Sequence, residues 1–350
     1  MRFEDYKGLP VLITGGLGFI GSNLALRLHE LGARVTVVDS EVPGCGANCY
    51  NLADAGDAIE VVGIDLSESH RLEGHIAKSE VMFNLAGEIS HIHSMEYPER
   101  DLQINTVSQL RFLEACRRAK RGVRVVYAGT RQIFGRPVYL PVNEQHPVRP
   151  IDFNGVHKYA ATMYHIMMSD LGDLDAVTLR LTNVYGPRMS LDVAGQGFLG
   201  TFFRKALLGE PITVYGDGSQ LRDPLYVDDA VNAFLLAGLV KKLPERECNI
   251  GGPEALSLKQ IAEFIAKEVT LVPFPEHLAA IDIGSYETDS SLAKAMLGWE
   301  PAVRMTDGVK QTMEFFRGHF DEYLTPGEGP KRELPEHLGI KRRLEFKPVA

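Results

Sequence analysis

Apolar positions along this chain fall into two kinds of segment: short unbroken runs, and longer stretches in which they recur every three or four residues. The first run, 11–14, meets Gly15, Gly18 and Gly21. Residues 22–31 then carry apolar side chains at helical spacing, Gly32 interrupts, and a second β-branched run ends at Asp39. Short apolar runs bounded by glycine fit buried strands, and the periodic stretch fits a helix with one face inward. The same rhythm continues with strands expected at 59–62, 81–85, 123–127 and 176–181, and helices over 102–118 and 155–168. Strands separated by helical segments are joined by crossovers, so the sheet they build is parallel and wound on both faces.

After about residue 187 the rhythm changes. A helix is expected at 198–208, a short strand at 212–215, a turn at 216–218, a helix at 227–239, a short strand at 248–250 and a helix at 258–269. The expected fold class is α/β: a Rossmann-type doubly wound parallel sheet (1–187) with a smaller mixed α/β C-terminal substrate subdomain (188–324), interleaved with the last sheet elements. The tail, 325–350, is rich in Pro, Gly, Lys, Arg and Glu and reads as an extended or partly ordered appendage.

The glycine spacing carries chemistry. Gly15 permits a tight turn, Gly18 lets backbone approach a pyrophosphate, and Gly21 lets the helix lie close to the sheet. Phe19 and Ile20 lie between the second and third glycines and are expected at the cofactor, ahead of the helix whose N-terminal N–H groups favour negative charge. Asp39, followed by Ser40, stands where a carboxylate accepts both ribose hydroxyls of an adenosine and repels a 2′-phosphate. NAD is therefore expected in preference to NADP.

Composition narrows the partners. A formal charge of −9 leaves no basic excess for nonspecific nucleic-acid binding. No apolar run approaches bilayer length and no signal-like segment precedes the first strand, so neither a membrane role nor secretion is expected. Cys45, Cys49, Cys116 and Cys248 are too few and too scattered for a disulfide framework, and no second ligand pair accompanies Cys45 and Cys49. No metal site and a cytoplasmic setting are the expectations.

Further segments follow in order: Asp65-Leu66; Asn84-Leu85-Ala86-Gly87; Val126-Tyr127-Ala128-Gly129-Thr130; Arg180 through Asn183 to Arg188; Val214-Tyr215-Gly216-Asp217-Gly218; Arg222-Asp223; and Asn249-Ile250-Gly251-Gly252. Together with the glycine turn they resemble the extended short-chain dehydrogenase/reductase family, in its nucleotide-sugar epimerase and dehydratase branch, over roughly residues 9–320. The resemblance implies that Asp65 and Leu66 flank the adenine, and that Leu85, Ala86 and Gly87 flank the nicotinamide ribose. It makes Thr130 the catalytic hydroxyl and puts Asn183, Arg188, Tyr215 and Arg222 in the sugar-nucleotide site. Physically, Arg222 offers a guanidinium fork to phosphate oxygens, Asn183 an amide N–H, and Tyr215 a wall for the base. The competing reading makes Arg222 and Asp223 a surface ion pair and Asn183 a turn residue. The resemblance also implies a homodimer through the helices at 102–118 and 155–168.

One position departs from the family. The resemblance implies a Tyr four residues before a Lys on one helix face, with the ammonium lowering the phenol pKa so that the phenolate takes a sugar hydroxyl proton. Lys158 is present; the Tyr position is Asn154. A carboxamide hydrogen-bonds a hydroxyl but does not take its proton. Three explanations stay open. Glu88, His91 or His93, on the loop after the fourth strand, supplies the base, Glu88 being nearest the Asn84–Gly87 segment; Lys158 transfers the proton while Asn154 orients substrate; or the protein binds NAD and a nucleotide-diphosphate sugar without catalysis.

The pair after Thr130 is Arg131-Gln132, which offers no acid and base for elimination. The expectation is therefore an NAD-dependent epimerase working through a transient keto intermediate, with dehydratase, decarboxylase, dehydrogenase and non-catalytic binding as alternatives.

Overall fold

The computed structural model describes residues 3–42, 44–191, 197–276 and 281–324, together with the pair Arg342–Arg343. Its strands run in chain order as β1 (Pro10–Thr14), β2 (Arg34–Asp39), β3 (Glu60–Gly63), β4 (Val81–Asn84), β5 (Arg124–Thr130), β6 (Asp175–Leu181), β7 (Val184–Tyr185), β8 (Ile212–Tyr215), β9 (Leu221–Arg222), β10 (Leu225–Tyr226), β11 (Glu247–Ile250), β12 (Leu256–Ser257) and β13 (Val269–Val272). The central sheet is parallel with the order β11-β6-β5-β4-β1-β2-β3, and Arg342–Arg343 pair beside β3 as its last member. The remaining strands form three two-stranded pieces, β10-β7, β12-β9 and β13-β8.

Alternation within the strands explains why they read as unbroken apolar runs. Val11 and Ile13 of β1, Val35 and Val37 of β2, and Phe83 of β4 enter one buried cluster. Their neighbours Leu12, Val38 and Met82 enter a second cluster on the opposite face. A parallel sheet covered on both sides needs apolar residues at both parities.

The α-helices are α1 (Phe19–Glu30), α2 (Glu73–Lys78), α3 (His91–Glu96), α4 (Pro98–Leu102), α5 (Ser108–Ala119), α6 (Phe153–Asp170), α7 (Phe198–Leu208), α8 (Val227–Leu239), α9 (Leu258–Ile265), α10 (Ser291–Leu297), α11 (Met305–Gly318) and α12 (Phe320–Tyr323). α1 and α8 share the first cluster through Leu24, Leu28 and Phe234. α5 and α6 reach the second through Phe112, Cys116 and Met168. The first cluster runs on to Ile261, Trp299 and Phe316, so the core is continuous across residue 187.

Two elements differ from expectation. The helix expected at 102–118 is interrupted: Gln103–Val107 form a π-helical turn between α4 and α5. The wider turn carries Asn105, whose side chain accepts from Glu88 N at 3.1 Å and donates to Glu88 O at 3.0 Å, a local demand that overrides regular α-helix. The helix expected at 258–269 stops at Ile265, Ala266 turns extended, and Val269–Val272 pair with β8. There a β-branched stretch satisfies its backbone on an open strand edge instead of continuing the helix. The tail expected at 325–350 lies outside the described residues apart from Arg342–Arg343.

Gly238 on α8 faces Tyr6 and Phe83: an added Cβ would lie 2.9 Å from Phe83 Cζ and closer still to the Tyr6 hydroxyl, which donates to Leu235 O at 2.7 Å. Both rings are fully buried. Gly238→Ala is expected to cost about 1–3 kcal/mol by overpacking, seen as a lower urea midpoint at unchanged slope. An unmoved midpoint would show that these rings yield freely.

Candidate active site

The order of the sheet reverses between β1 and β4, which run parallel side by side with their next neighbours in sequence on opposite sides. Chains leaving their C-terminal ends diverge there and open a crevice. A cleft of about 700 Å³ occupies this place. Gly15 has φ +69°, and a Cβ on it would stand 2.7 Å from Ala86 N. A Cβ on Gly21 would strike the Gly15 carbonyl. α1 starts at Gly18 with no side-chain cap, so no side chain competes for its first N–H groups. Such a turn, lined by Gly15, Gly18, Phe19, Ile20 and Gly21, fits a dinucleotide pyrophosphate because no side chain stands between it and the backbone.

Asp39 closes β2 at the same cleft. Its carboxylate accepts from Leu17 N and from Glu41 N, each at 3.0 Å. Burial raises its pKa, and these two N–H groups oppose the rise. Ser40, Asp65, Leu66, Leu85, Ala86 and Gly87 line the cleft as well. Asp65 caps the turn after β3, accepting from Ser67 N at 2.7 Å.

Thr130 ends β5, and its hydroxyl oxygen accepts from Gln132 N at 3.2 Å, which leaves its O–H free to donate. Lys158 projects from α6 into the cleft floor; its Nζ would lie 2.9 Å from a Cβ on Gly87. Burial lowers the Lys158 pKa, against the fields of Asp101, Glu88 and Cys45.

Asn154 lies one helical turn before Lys158 and also lines the cleft. Its amide nitrogen donates to Glu88 O and to Asp101 Oδ2, each at 3.0 Å, while its backbone N–H donates to Ser94 Oγ at 3.2 Å. Asp101 in turn meets His157 Nδ1 at 2.7 Å. Both amide hydrogens of Asn154 are thereby spent, and its carboxamide oxygen is the group it has left to offer.

The expectation for Glu88 is corrected by this geometry. Glu88 is buried beneath the cleft and is not among its lining residues. Its carboxylate accepts from Cys45 Sγ at 3.3 Å and from Ser90 N at 3.4 Å, and stands 3.7 Å from Arg100. Of the two histidines on that segment, His91 lines the cleft and His93 does not. His91 Nδ1 lies 3.3 Å from Gln132 Nε2. Burial lowers its pKa, helped by the positive fields of Arg131 and Arg222. Sequence reasoning passed over Asp152, which also lines the cleft but caps α6, accepting from Gly155 N at 2.6 Å. The Asp-to-Gly spacing of three, with the helix beginning between them, was the available signal.

At the far end stand Asn183, Tyr215 and Arg222. Arg222 is buried and its ion-pair partner is Asp282, 3.9 Å away, not Asp223; it donates to Leu221 O at 2.7 Å and Gly284 O at 2.5 Å. Its pKa falls to about 10 through burial and the neighbouring Arg131. Tyr215 is 43% exposed and meets Phe274 edge-on, a partner the sequence pattern did not indicate. Arg188 is a second correction. Its guanidinium turns away from the cleft to Asn51 O, Asn23 Oδ1 and Asp54, stacking over Phe315. It ties α1 to the C-terminal segments and is not among the residues that line the cleft.

The sequence pattern of the NAD dependent epimerase/dehydratase family matches residues 11–251. A UDP-glucose 4-epimerase of Mycolicibacterium smegmatis is 36% identical over 316 residues, covering 88% of this chain and 99% of the relative. UDP-glucuronic acid decarboxylase 1 of Xenopus tropicalis is 31% identical over 341 residues, covering 95% of this chain and 77% of the relative. Among solved structures, UDP-glucose 4-epimerase of Thermotoga maritima with UDP-glucose superposes with a TM-score of 0.80 at 30% identity, over 89% of this chain and 99% of that one.

Removing the Asp39 carboxylate should remove discrimination against a 2′-phosphate. For Asp39→Ala, the ratio of NAD to NADP affinity by fluorescence titration is expected to fall about tenfold or more, equivalent to about 1.4 kcal/mol. An unchanged ratio would take the ribose-binding role away from Asp39.

Proposed function

The chain belongs to the NAD dependent epimerase/dehydratase family, and we propose that within it the protein is a 4-epimerase of UDP-activated sugars. The observation that supports this reading is the continuity of the cleft: one cavity touches Gly15 and Asp39, then Thr130 and Lys158, then Asn183, Tyr215 and Arg222. A dinucleotide at the first end and a sugar nucleotide at the other meet at Thr130 and Lys158. NAD, the cofactor of this family, would be held by the Gly15–Gly21 turn and Asp39 and would supply a reversible hydride acceptor beside Thr130 and Lys158. Dehydration is disfavoured because Arg131 and Gln132 follow Thr130, where elimination needs an acid and a base.

The chain's own groups have three tasks. Lys158, held against Gly87, positions the nicotinamide ribose. Thr130, through its free O–H, and Asn154, through its carboxamide oxygen, fix the reacting sugar hydroxyl. That hydroxyl must lose its proton as the carbon is oxidised and regain it afterwards. Asn154 takes no proton and Asp152 is occupied as a helix cap, so the task goes to His91. Its lowered pKa keeps the ring neutral near pH 7. With the Gln132 carboxamide turned so that its oxygen accepts from Nδ1–H, the lone pair on Nε2 is free to take the proton.

The protein acts as a homodimer in this reading. Phe153, Val156, Met163 and Met167 are exposed and fall on one face of α6. The four cysteines are free thiols, which fits the expected cytoplasmic setting. No helix of the described residues is long and apolar enough to cross a membrane.

With NAD and a panel of UDP-, GDP-, CDP- and dTDP-sugars, NMR should detect conversion of a UDP-sugar to its 4-epimer. His91→Gln should lower kcat about 10²–10⁴-fold and abolish the acid limb of the pH profile. That limb lies below 6.5, since the base form is lost only as pH falls through the lowered His91 pKa. Retained activity in His91→Gln assigns the proton to another group. Tight binding across the panel with no turnover makes the protein a binder. Separately, Met163→Asp with Met167→Asp should convert a sedimenting dimer to monomer; a wild-type monomer at micromolar concentration would contradict the interface.

A further inference from the structure

Arg131 follows the catalytic-position Thr130 directly and lines the same cleft. It is 8% exposed. Its Nη2 donates to Asn183 Oδ1 at 2.9 Å, and its Cζ lies 4.6 Å from the centroid of the Tyr286 ring. One hydrogen bond and one ring face thus fix the plane of the guanidinium. Its Nη1 has no hydrogen-bond partner among the described residues. Nor does any carboxylate among them reach ion-pair distance. Asp152 and Asp223 favour its charge through their fields, but Asp152 caps α6, and Asp223 is held by Thr182 and by Thr288 N.

A guanidinium stays protonated in proteins, and burying one without a counter-anion is costly unless something completes it. Arg131 therefore holds an oriented guanidinium with no ion-pair partner and a buried, unbonded Nη1, on the residue next in sequence to Thr130 and in the same cleft. We propose that Arg131 is a subsite for a carboxylate carried by the sugar, so that the substrate is a UDP-activated uronic acid; this rests on the sugar-nucleotide reading above. The connectivity of the ring suits it. In a hexuronate the carboxyl group is attached to the ring carbon next to C4, so a ligand with its 4-hydroxyl at Thr130 carries its anion to the neighbouring side chain. The diphosphate is the other anion such a ligand brings, and Arg222, at the Tyr215 end of the cleft, is the guanidinium placed for it. An arriving carboxylate would offset the Arg131 part of the field that adds to burial in lowering the His91 pKa.

The test measures dissociation constants of NAD-loaded protein for UDP, UDP-glucose and UDP-glucuronate by calorimetry. Wild type should bind UDP-glucuronate about tenfold or more tightly than UDP-glucose. Arg131→Met should abolish that preference while leaving UDP and UDP-glucose within about twofold of wild type. Arg131→Lys, which keeps charge but loses the fork, should fall between. A wild type with no preference for the uronate overturns the proposal. Equal losses for all three ligands in Arg131→Met also overturn it, moving Arg131 to the diphosphate. If wild type binds none of the three, UDP included, the sugar-nucleotide reading fails and this inference fails with it. The unchanged UDP affinity of Arg131→Met serves as the control that the variant is folded.

Discussion

Close approach of two backbones, at Gly15 and Ala86, is the constraint on which the site depends. β1 and β4 lie side by side, and the turn after β1 touches the loop after β4 so closely that no Cβ fits between them. Gly21 packs against Gly15 in the same way, and this brings the N-terminus of α1 to the crevice. Once these contacts are made, Asp39 at the end of β2 and Thr130 at the end of β5 are set by strand register alone, since β2-β1-β4-β5 are consecutive neighbours. The catalytic region thus inherits its geometry from a rigid sheet, and the loops contribute only what the sheet presents to them.

The second half of the floor is organised by the backbone of Glu88. Its N–H and C=O are both bound by Asn105, and its carbonyl also accepts from Asn154. Asn105 reaches it only because the helix widens into a π-turn, and Asn154 is anchored further by Asp101, itself braced by His157. Deleting one member of such a buried network leaves its partners unpaired. Asn154 is therefore built in as a donor to protein groups; a phenol has one O–H and does not replace an amide that gives two hydrogens. The missing phenol and the wired carboxamide are two aspects of one arrangement, and this is why the proposed function gives the proton to His91, on the helix that packs against Asn154.

Most of the sheet was legible because parallel strands buried on both faces leave no ambiguity of period: the runs at 11–14 and 81–84 are apolar at every position up to the closing Thr14 and Asn84. Gly15, Gly21 and Asp39 were legible because backbone proximity and a carboxylate at a strand end leave residue-specific marks. The π-turn was not, since it answers to Asn105 meeting a backbone group 17 residues away, which no local propensity encodes. β13 was passed over, with only Val269 taken into the preceding helix, for the same reason: its strand state depends on the free edge of β8. Glu88 and Arg188 were misplaced because sequence proximity to a motif fixes which segment is near, and not which way a side chain turns. Cys45 and Arg100 draw the Glu88 carboxylate under the floor, and Asp54 and Asn23 draw Arg188 outward.

The electrostatics of the cleft run against those of the chain. The formal charge is −9, yet Arg131, Arg222, Lys158 and His91 converge on one cavity whose lining carboxylates are largely engaged by backbone N–H groups. An acidic exterior weakly repels anionic ligands at a distance, and screening removes most of that within about 10 Å at moderate salt. Inside the cleft the lower dielectric restores the attraction, so selectivity for an anionic ligand is exerted at contact and not in solution. The same field explains the division of labour proposed for the nitrogen bases. Burial pushes both the lysine and the histidine toward their neutral forms, and Arg131 and Arg222 add to that push at His91. The histidine starts from a pKa near neutrality and becomes a base at working pH, whereas the lysine starts several units higher and is steadied by the fields of Asp101 and Glu88. Lys158 is thereby left to hold, and His91 to exchange, the charge.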